Sequence, residues 1–112
     1  MIILDGSHLT IRDVIAVARN FEQVQVSVNA NDNMMRSQRL VDELLHSHNT
    51  VYGVNTGFGS LSTDKISSDD VGALQVNLLR SHSCGVGQPL PVEVVRAMML
   101  LRANSLVKGF FK

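Results

Sequence analysis

The chain has 112 residues, of which 45% are hydrophobic, and its ten basic and ten acidic side chains give a formal net charge of zero. About a hundred residues can form one small domain. A balanced charge does not favour electrostatic binding to nucleic acid or to an anionic membrane surface. We therefore expect neither nucleic acid nor a membrane among the partners.

Two further features bear on cellular location. Cys84 is the only cysteine, so no intrachain disulfide can form, which suits a reducing compartment. The opening residues Met1 to Asp5 contain no basic leader, and their apolar run is too short for a signal peptide or a membrane span. Together these features predict a cytoplasmic protein.

The N-terminal residues predict a strand followed by a helix. Ile2 to Leu4 is a short apolar run typical of a strand. Thr10 and Asp13 have the spacing of a capping box, which predicts a helix from there to about Asn20. The apolar face of this helix is predicted to comprise Ile11, Val14, Ile15 and Ala18.

A second strand and a second helix are predicted next. Val24, Val26 and Val28 alternate with polar residues, which indicates a strand. The polar stretch from Asn29 to Asn33 then begins a helix. The apolar stripe of that helix is predicted to comprise Met34, Val41, Leu44 and Leu45.

Two histidines are predicted to end this second helix. The imidazole groups of His46 and His48 can meet the terminal carbonyls of the helix. A His-x-His pair can also bind a metal ion, but no further ligands cluster with it in the sequence. We therefore predict a plain helix end and no metal site.

The stretch from Tyr52 to Gly59 packs three glycines and one phenol into eight residues. Glycine allows positive backbone torsions and close approach to a ligand, while Asn55 and Thr56 can bond their own backbone. This composition is typical of a functional loop; the alternative is a hairpin turn with the tyrosine packed on its edge. The glycine spacing fits neither a dinucleotide-binding motif nor a P-loop.

A third helix is predicted from Ser67 to about His82. Ser67 and Asp70 have capping-box spacing, acidic residues occupy the first turn, and Gly85 provides a stop. At a hundred degrees per residue, His82 falls on the apolar side and would face inward as a core histidine. The same side carries Val71, Leu74 and Leu78.

The last helix is predicted to start at Pro91, with Glu93 near its positive end. A helix that is apolar almost all round belongs in the middle of a bundle. Burial of each large apolar side chain contributes about 1.5–3 kcal/mol, so exposure of this helix would drive self-association, which Phe110 and Phe111 strengthen. We therefore expect a homo-oligomer. The apolar residues are Val92, Val95, Met98, Met99, Leu101, Leu106 and Val107.

Two motifs follow the tyrosine loop. One is Leu-Gln-x-Asn-Leu-x-x-Ser-His-x-x-Gly-x-Gly, from Leu74 to Gly87, and the other is Leu-Arg-Ala-Asn-Ser-Leu-x-Lys-Gly, from Leu101 to Gly109. In order and approximate spacing, the three motifs resemble the N-terminal part of the histidine ammonia-lyase family, one of the aromatic amino acid lyases and aminomutases. The resemblance covers nearly the whole chain.

The resemblance implies a mainly α fold with short N-terminal β-strands, forming the N-terminal portion of a long helical bundle. Within residues 1–112 we expect a strand and helix region with the tyrosine loop at 1–61 and two core helices at 67–109. The family's bundles tetramerise, which implies a homotetramer.

The resemblance also implies roles for three residues. Tyr52 matches the base that removes the substrate β-proton, Gly59 a glycine that lies against the bound substrate, and His82 a residue near the substrate ring. A Ser-His pair such as Ser81-His82 is usual in histidine ammonia-lyases, whereas phenylalanine lyases typically carry an apolar pair. Tyrosine aminomutases can also show Arg-Ser-His-Ser. L-Histidine is therefore the first candidate substrate, and a tyrosine lyase or aminomutase is the alternative.

The family's electrophile, 4-methylidene-imidazol-5-one, forms from an Ala-Ser-Gly tripeptide well downstream of these motifs. No Ala-Ser-Gly occurs in this chain. The nearest sequence, Ser83-Cys84-Gly85, lies inside the histidine motif, where the family does not cyclise its backbone. Because family members are several times longer, we expect the N-terminal portion of a lyase that is inactive by itself. The alternative is a non-catalytic small protein that associates with itself or with full-length subunits.

Overall fold

The computed structural model describes residues 1–47, 49–61 and 64–110. These residues form six regular elements, namely β1 (Ile2–Leu4), α1 (Ile11–Asn20), β2 (Val24–Val26), α2 (Val28–His46), α3 (Val71–His82) and α4 (Val92–Leu106). The expected fold class, mainly α with short N-terminal strands, is confirmed. His48, Phe111 and Lys112 lie outside the described residues, so the predictions that involve them concern positions without a structural description.

The chain divides into two compact units. The first unit combines Met1–Gln38 with the described residues from Gln88 onward, and the second unit is Arg39–Gly87. The division falls within α2. No helix among the described residues is long and apolar enough to cross a membrane.

The first unit is a β–α–β arrangement covered by α4. Strands β1 and β2 are parallel, with Ile2 opposite Val24 and Leu4 opposite Val26, and α1 makes the connection between them. Helix α1 packs on α4. The core of the unit is a cluster of buried side chains, namely Leu4, Val17, Ala30, Leu100 and Val107.

Arg96 ties α4 to the end of α1. Its Nε donates a hydrogen bond to the Val17 carbonyl oxygen at 3.0 Å, and its guanidinium lies 4.3 Å from the centroid of the Phe21 ring. Phe21 ends α1 in the left-handed region, with φ 57°. The planar guanidinium can therefore bond the backbone and stack on the aromatic ring at the same time.

The capping box that begins α1 is confirmed. The Asp13 amide donates to the Thr10 hydroxyl at 3.2 Å, and the Thr10 amide donates to the Asp13 carboxylate at 2.9 Å. The predicted apolar face was partly wrong. Val14 and Ala18 face the core as predicted, but Ile11 and Ile15 are exposed and Val17, which was not predicted, is buried. Helix α4 covers only one side of α1, so its packing selects the buried face among several apolar positions.

The second strand is shorter than predicted. Val28 was expected to extend β2, but it is the first residue of α2. The Ala30 amide donates to the Ser27 hydroxyl at 3.2 Å, so a serine cap starts the helix directly after Val26. The predicted apolar stripe of α2 is confirmed as half-buried positions at Met34, Val41, Leu44 and Leu45.

Helix α3 begins later than predicted. Ser67 was expected to cap it, but the helix starts at Val71, and Asp70 occupies the N-cap without a side-chain hydrogen bond to a helical amide. The Ser67 hydroxyl instead donates to the Asp70 carboxylate at 2.8 Å, and the Asp70 amide donates to the Ser67 carbonyl oxygen. Because these two side chains bond each other, neither of them caps a helical amide. The first turn of α3 contains no acidic residue, contrary to the prediction.

Helix α4 follows Pro91 directly, one residue later than predicted, with Glu93 in its first turn. Leu100 is the one buried residue within the described helix, although Val107 at its C-cap is also buried. The apolar side chains of α4 that are exposed are Val92, Val94, Val95, Met98, Met99, Leu101 and Leu106. The prediction of a helix that is apolar on most of its circumference is confirmed.

Candidate functional site at the tyrosine loop

The tyrosine loop, residues 51–61, has a buried middle. Val54, Asn55, Thr56 and Gly57 are all buried. The backbone closes twice on Val51, whose carbonyl oxygen accepts from the amides of Val54 and Asn55. These bonds fold the chain back on itself around Tyr52 and Gly53.

Two polar side chains complete the interior of the loop. The Asn55 side chain accepts from the Val51 amide at 2.8 Å and donates to the Asn49 carbonyl oxygen at 2.9 Å. The Thr56 hydroxyl accepts from the Gly53 amide at 3.2 Å and donates to the Gly57 carbonyl oxygen at 2.9 Å. The prediction that both residues bond the loop's own backbone is confirmed.

The loop also pairs with the chain that follows it. Thr56 forms an isolated antiparallel bridge with Lys65, and the Gly57 amide donates to the Asp64 carbonyl oxygen at 3.0 Å. The Ile66 amide donates to the Asn55 carbonyl oxygen at 2.7 Å. A bridge this short holds the base of the loop without forming a regular strand.

Tyr52 is presented at the surface, with 62% of its area exposed. Its ring lies 6.0 Å from the Phe58 ring, at an interplanar angle of 72°, which is an edge-to-face contact. The phenol is presented and not buried, as the functional interpretation predicted, and its ring contact is with Phe58 of the same loop. The sequence analysis missed Phe58, since no periodic signal links two aromatic residues six positions apart in a loop.

Gly59 lies in the same loop as Tyr52, at the start of a 3-10 turn, Gly59–Leu61. Its φ is 58°, and no atom lies within 4 Å of the place where a Cβ would be. Open space of this kind leaves the backbone accessible to a bound molecule.

His82 ends α3 and is exposed, so the prediction that it faces inward was wrong. The residues on the same side, Val71, Leu74 and Leu78, are half-buried as predicted. The half-buried stripe stops one turn before His82. Among the described residues, no hydrogen bond or ring contact joins His82 to Tyr52 or Gly59, and the role implied for each of the three residues stays a prediction.

The His82 ring is held locally. Its Nδ1 lies 3.0 Å from the Leu78 carbonyl oxygen, and the Ser81 hydroxyl lies 2.9 Å from the same nitrogen. Nδ1 can donate to the Leu78 carbonyl oxygen or accept from the Ser81 hydroxyl, so these contacts suit either tautomer of the ring.

The described residues contain no group of three or more His, Cys, Asp or Glu side chains arranged to hold a metal ion. Cys84 is exposed, and its amide donates to the His82 carbonyl oxygen at 2.9 Å. The only cysteine of the chain therefore lies close to the end of α3.

Comparison with known proteins finds related sequences. The family model for aromatic amino acid lyases matches residues 9–111. The chain is 51% identical over 109 residues to a histidine ammonia-lyase of Caldanaerobacter subterraneus subsp. tengcongensis, covering 97% of this chain and 22% of that protein.

Solved structures give the same result. Ergothionase from Treponema denticola, an ergothioneine-degrading enzyme, superposes with a TM-score of 0.91 at 34% identity, covering 96% of this chain and 22% of that one. Tyrosine aminomutase from Streptomyces globisporus superposes with a TM-score of 0.90 at 31% identity, covering 96% and 20%. The chain spans about a fifth of the length of these relatives. It belongs to the aromatic amino acid lyase family.

Proposed function

We propose that this chain supplies the tyrosine-loop portion of a histidine ammonia-lyase, which converts L-histidine into trans-urocanate and ammonia. The observation that carries the proposal is the 51% identity, over 97% of the chain, to a histidine ammonia-lyase. The 31% identity to tyrosine aminomutase is lower, which favours histidine over tyrosine as the substrate.

In this proposal Tyr52 is the base that takes a proton from the substrate Cβ. Its exposed phenol is open to a substrate, and the Phe58 ring edge supports one side of it. Gly59 provides backbone without a side chain next to the substrate. In the tautomer that carries the proton on Nδ1, the Nε2 atom of His82 is suited to accept a hydrogen bond from a substrate imidazole N–H.

The electrophile, 4-methylidene-imidazol-5-one, would withdraw electrons from the substrate and so ease proton loss. The chain does not fit as its source, because its 112 residues contain no Ala-Ser-Gly. We therefore propose that these 112 residues alone give no turnover.

We further propose that the enzyme acts in histidine degradation in the cytoplasm and assembles as a homotetramer. The exposed apolar side chains of α4 support an assembly in which that helix is covered. With a single cysteine the chain can form no intrachain disulfide. This suits a reducing compartment and so supports the cytoplasmic location.

The proposal is tested by absorbance detection of urocanate, with the intact gene product and L-histidine as substrate. We expect Tyr52→Phe, which keeps the ring against Phe58 but removes the hydroxyl, to lower kcat by about 10²–10⁴-fold. Far-UV circular dichroism of the variant confirms that it is folded.

Parallel reactions with L-tyrosine and with ergothioneine decide the substrate. If either compound is consumed and no urocanate forms from L-histidine, that compound and not histidine is the substrate. Full activity of Tyr52→Phe would show that Tyr52 is not the base.

A further inference from the structure

Thr56 is the most enclosed side chain of the tyrosine loop, with 0% of its area exposed. A threonine hydroxyl in such a place must find partners, because an unpaired buried hydroxyl is costly. Both partners come from the loop itself, since the hydroxyl accepts from the Gly53 amide and donates to the Gly57 carbonyl oxygen. The hydroxyl therefore joins the two sides of the turn that presents Tyr52.

The Gly53 amide belongs to the peptide bond that directly follows Tyr52. Gly53 has φ 77°, a conformation that few other residues adopt. The Thr56 hydroxyl holds this peptide in one orientation, and the orientation of the peptide sets the direction in which the Tyr52 side chain leaves the backbone.

Asn55 holds the other side of Tyr52. Its side chain, in a residue only 3% exposed, bonds the amide of Val51 and the carbonyl oxygen of Asn49, which precede the tyrosine. Asn55 thus holds the residues before Tyr52, and the Thr56 hydroxyl holds the peptide after it.

We propose that Thr56 is a positioning residue for Tyr52. Its hydroxyl fixes the Tyr52–Gly53 peptide and through it the place of the phenol oxygen. The catalytic consequence rests on the proposed function, in which that oxygen must reach a substrate Cβ proton. The structural consequence, a fixed Tyr52–Gly53 peptide, is independent of the proposed function and can be measured without any turnover.

Tyr52 is the only tyrosine, and the chain has no tryptophan. The tyrosine band of the near-UV circular dichroism spectrum therefore reports on Tyr52 alone. We expect Thr56→Val, which keeps the side-chain shape and removes the hydroxyl, to reduce this band at least twofold with the far-UV spectrum unchanged. Thr56→Ser, which keeps the hydroxyl, should retain the band.

Ser105→Ala is the matched control. It removes a hydroxyl that bonds the Leu101 carbonyl oxygen within α4, in the first unit, and should leave the tyrosine band unchanged. An unchanged band in Thr56→Val, or equal loss in Thr56→Val and Ser105→Ala, overturns the proposal.

A second measurement needs no variant. Amide hydrogen exchange at Gly53 in the unmodified chain should be slowed by at least tenfold relative to an unstructured peptide, because its hydrogen-bond acceptor is a buried hydroxyl. Exchange at the unstructured rate overturns the proposal, even if Thr56→Val does not fold.

The catalytic consequence is read in the intact gene product. We expect Thr56→Val to lower kcat by about 10- to 100-fold, with KM changed less than about threefold and Thr56→Ser restoring kcat, because a small misplacement of a reacting group is costly. Loss of the tyrosine band without loss of kcat would limit Thr56 to a structural role. Absence of urocanate in every variant and in the unmodified enzyme would instead reject the proposed function.

Discussion

Gly57 is the glycine of the tyrosine loop at which an added Cβ would clash with neighbouring atoms. A Cβ at this position would lie 2.6 Å from both the Cβ and the carbonyl oxygen of Leu61. We expect Gly57→Ala to destabilise the second unit by about 1–3 kcal/mol, because the added methyl overpacks a closed turn. The midpoint of urea denaturation measures the effect.

Gly72→Ala is the control for this prediction. Gly72 lies in α3 with no atom within 4 Å of its virtual Cβ, and alanine in a helix is more favourable than glycine by about 0.5–1 kcal/mol. The two substitutions should therefore shift the midpoint in opposite directions. Equal stability of Gly57→Ala and the unmodified chain would mean that Leu61 moves away without cost.

The residue roles were only partly accessible from the sequence. The glycines, Asn55 and Thr56 marked the loop because their chemistry is local and lies within a few positions of the bonds they make. The packing of Phe58 on Tyr52 and the exposure of His82 depend on which chain segments cover them. Sequence periodicity predicts which side of a helix is apolar, but it does not predict how far along the helix other chain segments pack against that side.

At the scale of elements, the capping box of α1 makes stability depend on pH. The Thr10 hydroxyl and the Thr10 amide, both hydrogen-bonded to the Asp13 carboxylate, lower the pKa of that carboxyl below its ordinary value of 3.8. A carboxyl with a lowered pKa in the folded state stabilises the fold above its unfolded pKa. This stabilisation is lost as pH falls through the folded pKa.

Asp13→Asn tests this coupling. We expect the variant to be less stable than the unmodified chain near neutral pH and to lose less stability on acidification, because it has no carboxyl to protonate. Thermal unfolding followed by far-UV circular dichroism between about pH 7 and pH 2 measures both changes. Asp32→Asn, at an exposed position of α2, is the control; an identical pH profile for both variants would contradict the coupling.

The elements divide into those marked by one local signal and those at which two local signals compete. The Thr10 cap of α1, the Pro91 start of α4 and strand β1 follow from adjacent residues, and the sequence located them within one residue. Val28 and Ser67 were misassigned because two local signals compete at each. A serine cap at Ser27 overrides the alternation of valines, and a Ser67–Asp70 side-chain bond replaces a helix cap.

At the scale of the whole molecule, the exposed apolar side chains of α4 predict self-association. We expect sedimentation velocity of the 112-residue chain at micromolar concentration to show oligomers, because each large side chain removed from water contributes about 1.5–3 kcal/mol. Met98→Lys combined with Leu101→Lys, one turn apart on α4, should shift the distribution toward the monomer.

Val86→Lys is the control, since Val86 is an exposed apolar side chain outside α4. It should leave the distribution unchanged. A monodisperse monomer of the unmodified chain would contradict the prediction, and an equal effect of both variants would indicate that added charge, not α4, decides the outcome.

The first unit is assembled from two stretches of chain that are far apart in sequence. The Gly6 amide bonds the Asn104 side chain across 98 positions, and Arg19 pairs with Glu93. On the ribosome, β1, α1 and β2 therefore emerge long before the helix that covers them, whereas residues 39–87 of the second unit emerge as one continuous segment. The order of synthesis thus favours formation of the tyrosine loop before closure of the first unit's core. Until α4 is synthesised, the apolar side chains of β1, α1 and β2 that α4 covers stay exposed.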